Sequence, residues 1–410
     1  MKNIKILRNT FIIVGVPFVL VRLLLAGTND GVPNFGNMPL AQPPPAIITF
    51  DAPGAGTGPF QGTVTYAINP MGTIAGYYFD SNTVTHGFLR APDGTFTAPI
   101  DAPGGGTGPY QGTFTGSINP AGEITGFVSD SNYVFHGYLR EPNDTFTMFD
   151  VPGAGTGQFQ GTEAANINPT GVIAGFWIDA SNVNHGFLRD PNPDGTIHTF
   201  DAPSAGTGPG QGTFTGVNSV YNLNSAGDIS GFSIDANNVY HGYLRRASDG
   251  TITVINAPGA GTGPNQGTQC SGINDTRTIV GEYIDANNVY HGYLRRASDG
   301  TFTIIDVLGA GTGPEQGTLP ENINASGSIT GQYVDSLGVN HGFLRTPDGT
   351  ITTFDAPGGG TGSGQGTVAN CNNSHDAITG FYVDSNNTWH GFLRAPQTTP
   401  RPRPTPRPRP

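Results

Sequence analysis

The sequence predicts an all-β protein: a seven-bladed β-propeller with four antiparallel strands per blade and a ring closed by the N-terminal strand. Three observations predict it. First, His-Gly-Phe-Leu-Arg at 86–90 returns, with Phe or Tyr third, at 136–140, 185–189, 241–245, 291–295, 341–345 and 390–394, and the histidines stand 50, 49, 56, 50, 50 and 49 residues apart. A fixed period near fifty marks a repeat architecture. Second, each repeat holds four short runs that alternate large with small or polar residues, the period of a strand, and turn residues separate them. Four antiparallel strands in ~50 residues describe a propeller blade. Third, the copies are offset. The last repeat stops at Arg394-Ala395-Pro396 without a fourth run, and the missing copy stands at the other end as Ile47-Ile48-Thr49-Phe50. An open solenoid has no use for this offset; a ring sealed by its first strand does.

Taken in order, residues 1–26 carry Lys2, Lys5 and Arg8 before the apolar run Phe11–Leu25, which Arg22 interrupts. They are expected to be a signal peptide or an N-terminal anchor. Residues 27–45 end in three prolines and form a Gly/Pro-rich linker. The propeller occupies 46–396. In its first repeat the strands are expected at Thr63–Ile68 (A), Thr73–Phe79 (B), Thr85–Arg90 (C) and Thr95–Ile100 (D). Asn69-Pro70-Met71-Gly72 turns A into B, Asp80-Ser81-Asn82 opens the B–C turn, and Asp93-Gly94 is a hairpin signal between C and D. A Gly-rich connector then leads to the next repeat. Repeat four carries five extra residues near Val217–Tyr221, and residues 397–410 alternate Pro with Arg or Thr as a disordered polyproline tail.

Charge excludes one class of partner. Of the 18 basic residues, the ten between 46 and 396 are all Arg, and they face 29 of the 30 acidic residues. A region near −19 without lysine repels phosphate backbones, so no nucleic-acid partner is expected. Membrane contact is expected only through an uncleaved N-terminal segment, and the protein is expected to be a monomer. Cys270 and Cys371 belong to non-adjacent repeats and read as unpaired core residues.

The pattern Ile-Asn-x-x-Gly-x-Ile-x-Gly-x-x-x-Asp, then His-Gly-Phe-Leu-Arg, then Asp-Gly-Thr-x-Thr-x-x-Asp resembles the HAF-type extracellular repeat of bacterial proteins over about 46–396. Gly87 and its equivalents stand where that family's name implies Ala. The resemblance implies secretion and a propeller-like fold, and it brings no catalytic residues.

Within the C strands, His86 and Arg90, His136 and Arg140, His185 and Arg189, His241 and Arg245, His291 and Arg295, His341 and Arg345, and His390 and Arg394 form the repeated motif. The Asp across the B–C turn lies within expected reach of each His. His, Asp and Arg in one hairpin are the residue types of acid–base chemistry, but a set present seven times reads as a staple of the blade, since an active site occurs once. The arginines are expected to neutralise local acids. The connectors resemble phosphate loops only in glycine content, lacking a following helix and a Lys. Asp80, Asp130, Asp179, Asp235, Asp285, Asp335 and Asp384, with Asn82, Asn132 and Asn182, line the expected loop face and are the candidate binding residues. Their oxygens suit calcium chemically, though without EF-hand spacing Asx turns are the simpler account, and no cofactor is expected. Ser374-His375-Asp376 holds triad residue types in adjacent positions that cannot form the relay.

These features describe a secreted or cell-surface, non-catalytic binding or structural module, with extracellular glycans as the expected ligand class. Two alternatives stand beside it. A protein–protein scaffold needs no ligand pocket. A polysaccharide lyase or glycosidase needs non-repeated carboxylates in one cleft, ~5–9.5 Å apart for hydrolysis, and Glu163, Glu282, Glu315 and Glu321 are the candidate non-repeated acids for it.

Overall fold

Hydrogen bonds link the repeats into one continuous sheet. The structure, a computed structural model, describes residues 45–216 and 222–396. The expected signal segment, nearly all of the linker, the Val217–Tyr221 insertion and the tail lie outside the described residues. Twenty-eight strands and no helix are found among those described. The first repeat comprises β2 (Gly62–Ile68), β3 (Ile74–Phe79), β4 (Thr85–Arg90) and β5 (Phe96–Ile100), and β1 (Ile47–Phe50) precedes it. Strand positions in the sequence therefore match to within one residue at either end.

Their assembly does not. The expected propeller of seven four-stranded blades is corrected to a closed barrel of 21 strands, three from each repeat, with seven further strands outside it. β4 explains why. Its leading residue Thr85 pairs in parallel with Gly112, the first residue of the next repeat's A strand, and only its remaining length pairs with β5. The hydrogen bonds thus pass directly from the third strand of one repeat to the first of the next, and the fourth strand is left on the outer side. Closure is corrected with it. The parallel bridge of Gly62 to Trp389, at the head of the last strand Trp389–Arg394, closes the barrel. β1 pairs with that last strand from Ile47–Arg394 to Phe50–Gly391 and fills the seventh outer position.

The repeated residues are those this junction requires. Gly62, Gly112, Gly161, Gly212, Gly267, Gly317 and Gly366 all have φ between +98° and +124°, and a Cβ on any of them would run into the backbone carbonyl of the strand that it bridges. Glycine alone tolerates both demands. The motif's third residue, Phe88 or its Phe and Tyr equivalents, is fully buried. The Phe88 ring lies over Gly76 of β3, where a Cβ would stand 2.9 Å from it. Gly87 leaves no room for the alanine of the resembling family, because its Cβ would meet Thr115 of the next repeat.

Arginine behaves differently from expectation. Arg140 does pair with Asp144. Arg90, Arg189, Arg245 and Arg394, however, lie 4.6, 5.0, 4.9 and 4.9 Å from the rings of Phe50, Phe149, Phe200 and Phe354, which end the preceding outer strands. They tie the third strand of one repeat, a barrel strand, to the outer strand of the repeat before it through cation–π contact.

A second device was invisible as such in the sequence. Asn69 donates its side-chain amide to the carbonyl of Asn119, and the same bond runs on through Asn168, Asn224, Asn274, Asn324 and Asn373 back to Asn69, at 2.8–3.4 Å. Seven asparagines, Asn69 of the first A–B turn and its equivalents, form a closed circle of inter-repeat bonds. Each also caps its own turn, as Asn69 Oδ1 does for the Thr73 amide.

Candidate functional site

Two places carry polar chemistry, and they differ in symmetry. On the face formed by connectors and B–C turns, each motif histidine is clamped by two groups. His86 Nδ1 lies 2.7 Å from Asp101, the connector residue, while Nε2 lies 3.9 Å from Asp80. The principal partner is thus the connector acid, and the turn acid expected from sequence is the more distant. The arrangement recurs at His136 with Asp150 and Asp130, His185 with Asp201 and Asp179, His291 with Asp306 and Asp285, His341 with Asp355 and Asp335, and His390 with Asp51 and Asp384. His241 has Asn256 in place of the connector acid and lies 3.3 Å from Asp235. The hydrogen bond to Asp51 raises the pKa of His390 against the opposing effect of its burial.

The candidate loop acids are occupied with the fold. Asp80 Oδ1 accepts from the Asn82 and Val84 amides, and the same Asx turn forms at Asp130, Asp179, Asp235, Asp285, Asp335 and Asp384. For Asp130, Asp235, Asp285 and Asp384, burial is the largest single influence and pushes the pKa up, but the turn's hydrogen bonds together outweigh it and hold the carboxyl below its ordinary value. Asn82 and Asn132 contribute backbone amides, while the Asn182 side chain accepts from Gln160. Among the described residues, no three His, Cys, Asp or Glu side chains are grouped to hold a metal ion. The Ser374-His375-Asp376 turn gives a 3.3 Å Ser–His contact, while Asp376 accepts from Asn324 instead of the histidine.

The second place lies inside the barrel and is not repeated. In six repeats the register of A against B slips at one residue, so that Tyr66, Gly116, Ala165, Ser271 and Glu321 each form the extra residue of a bulge, and Ala369-Asn370 do so in repeat seven. Bulges re-aim side chains, and these point to the middle of the ring: Tyr66 of repeat one feels the charges of both Glu163 of repeat three and Glu321 of repeat six. Around it, Tyr77, Phe114, Phe127, Phe214 and Phe381 make a largely aromatic wall, with Phe114 and Phe127 stacked at 4.8 Å and Tyr77 against Phe114 at 5.4 Å. Repeats five and six break this wall with a polar wedge. Ser271 donates to Glu282 at 2.8 Å, and Gln332 donates to Glu321 at 3.1 Å. Both carboxyls are held above their ordinary pKa, first by burial, with Glu321 raised further by the charge of Glu282. Tyr66, Tyr77, Phe127, Glu163 and Asn370 retain partial exposure here.

Three of these four candidate acids, Glu163, Glu282 and Glu321, therefore belong to the inner face. Glu315 does not; it is exposed on a connector. The sequence identified these acids by their failure to repeat, but the aromatic wall was unreadable because its members recur as ordinary strand residues.

Burial raises the Glu163 carboxyl to about 8. Below about pH 4.5 it is protonated whether folded or unfolded. Between about 4.5 and 8 only the unfolded chain ionises, so the folded state loses stability as pH rises, and the loss levels off above 8. Glu163→Gln should thus gain up to a few kcal/mol over the native protein at pH 8.5 and almost nothing at pH 4.5. Urea melts at both values measure this; equal gains at both would refute it.

No protein-family model matches the chain, and no curated protein matches it. Among solved structures, the BP39L lectin from Burkholderia pseudomallei aligns over 81% of this chain and 97% of its own, at a TM-score of 0.53 and 12% identity. Puromycin hydrolase aligns over 83% of this chain and 53% of its own, at a TM-score of 0.45 and 12% identity, and Aleuria aurantia lectin in complex with α-methyl-L-fucoside over 86% and 99%, at a TM-score of 0.32 and 10% identity. Of these three only the BP39L lectin is similar enough to argue a shared overall fold, and at 12% identity the likeness concerns the fold alone.

Proposed function

We propose that the protein is a secreted or cell-surface, non-catalytic module that binds extracellular carbohydrate on the inner face of its barrel. The observation that carries this is the single polar wedge of Ser271, Glu282, Glu321 and Gln332 set across from an aromatic wall. In a protein whose structural devices recur up to seven times, the feature present once is the one that the fold does not require. Its chemistry suits a sugar: aromatic faces cover the C–H side of a pyranose, while amide, hydroxyl and protonated carboxyl groups exchange hydrogen bonds with its hydroxyls. The fold shared with a lectin and the resemblance to an extracellular repeat point the same way.

Titrating the full-length protein with a panel of neutral mono- and oligosaccharides tests the reading. One class should bind saturably, and Phe127→Ala should weaken it about tenfold, since an aromatic platform contributes ~1–1.5 kcal/mol. Glycan binding indifferent to Phe127 would place the site elsewhere, and no binding across the panel would end the proposal. Glu282 and Glu321 also favour a second reading, hydrolysis by a pair of unequal carboxyls. Release of reducing ends from the bound glycan, lost in Glu321→Gln, would favour that reading over simple binding.

A further inference from the structure

The histidine face has seven equivalent positions, and one of them stands open. In five repeats an aromatic side chain from the B strand stacks on the motif histidine. The pairs are Tyr78 on His86 at 5.1 Å, Trp177 on His185 at 4.3 Å, Tyr283 on His291 at 4.9 Å, Tyr333 on His341 at 4.8 Å and Tyr382 on His390 at 4.8 Å, with interplanar angles of 18–27°. The tip of each ring reaches the connector glycine; a Cβ on Gly54 would stand 3.1 Å from the Tyr78 hydroxyl. Repeat four has Ser233 instead, and Ser204 replaces the connector glycine, so that the two hydroxyls close the position at 2.7 Å. Repeat two has Val128 and keeps Gly104, beside which an added Cβ would meet nothing within 4 Å. Val128 itself is fully buried, and in front of His136 a groove remains, bordered by Pro103, Gly104, Asp130, Met148, Phe149 and Asp150. The His136 side chain is 33% exposed, against 21–26% for the five covered histidines.

We propose that this groove binds the phenol ring of a small ligand, stacked on His136 where the protein's own tyrosines lie in the other repeats, with its hydroxyl beside Gly104. The equivalents define the guest. Four are phenols and one is an indole, each fitting the same imidazole and connector glycine, with a proline before that glycine in four of the five and Leu308 in the fifth. Met148, a flexible side chain packed beside Val128, forms the far wall and suits contact with an aromatic edge. Asp130 and Asp150 flank the groove and select against anionic guests. At the equivalent position burial, aided by Asp101 and Asp80, keeps the Tyr78 hydroxyl protonated up to about 12, so the guest binds as the neutral phenol. A ligand bearing an ammonium group would gain from the same two acids. This site lies on the histidine face, apart from the inner face, and does not depend on the glycan reading.

Calorimetric titration of the full-length protein with p-cresol, tyramine and 4-hydroxyphenylacetate tests it. The expected result is one site for p-cresol, tyramine at least as tight, and the anion at least tenfold weaker. Val128→Tyr supplies the ring covalently, as five other repeats do with Tyr or Trp, and should weaken p-cresol more than tenfold without lowering Tm. Tyr283→Val, with Gly259 already in place, should open a second groove and raise the stoichiometry from one to two. Absence of p-cresol binding, or binding unchanged in Val128→Tyr, would overturn the proposal. So would a Val128→Tyr protein that melts well below the native one, because it would show that the groove does not fit a phenol.

Discussion

Gly317→Ala is expected to cost about 4 kcal/mol or more, at the exceptional end of single substitutions, and to lower Tm by roughly 10 °C. Two penalties coincide there. The residue has φ +124°, which an L side chain rarely adopts, and the new Cβ would collide with the carbonyl of Tyr290, the residue that Gly317 bridges in parallel. The collision cannot be relieved by a rotamer change because both partners are backbone. The barrel would have to separate at one of its seven junctions. Gly105→Ala is the control. Its position is Ala55, Ala154, Ala205, Ala260 and Ala310 in the other connectors, and its φ is not in the left-handed region. It should be neutral or stabilise by about 0.4–1 kcal/mol through the unfolded chain. Thermal melts of the two variants, read side by side, decide the matter: a Gly317→Ala protein as stable as the control would mean that the parallel bridges do not hold the ring.

Deleting residues 46–50 should lower the melting temperature by roughly 10 °C while leaving the protein folded. β1 supplies four paired residues to the last strand. Its Phe50 meets Phe96 at 5.9 Å, carries the Arg90 guanidinium at 4.6 Å, and covers Gly391. Losing one large, partly buried aromatic with its contacts costs about 3 kcal/mol, and the unpaired edge of Trp389–Arg394 adds to that. The barrel itself nevertheless closes through Gly62 and Trp389, upstream of those contacts. A deletion protein with no cooperative melt would restore the N-terminal strand as the seal; an unchanged melt would show that the outer position contributes nothing.

These two cases also separate what could be read from what could not. Alternation in runs such as Thr85–Arg90 fixes which residues form strands, because side chains on a strand point to opposite faces every other residue. The turn residues fix where strands end, and the offset copy at Ile47–Phe50 shows that an outer strand is shared between the two ends of the chain. His86, read as stapled to Asp80 across the B–C turn, has as its nearer partner Asp101, fifteen residues on. Distance along the chain favoured the wrong acid, since the connector folds back over the histidine.

The sequence by itself determined the seven-fold repeat, the strand positions, the acidic surface and the short catalogue of residues that break symmetry. Only the tertiary structure decided that the barrel runs through three strands per repeat, since a parallel bridge such as Thr85–Gly112 is a long-range backbone contact that leaves no mark in side-chain alternation. It likewise decided that Glu163, Glu282 and Glu321, up to 158 positions apart in the chain, share one inner face, and that the asparagine turns join into a circle. Local pattern reports the environment of one strand, whereas closing a ring brings together residues whose separation in sequence carries no information about their separation in space.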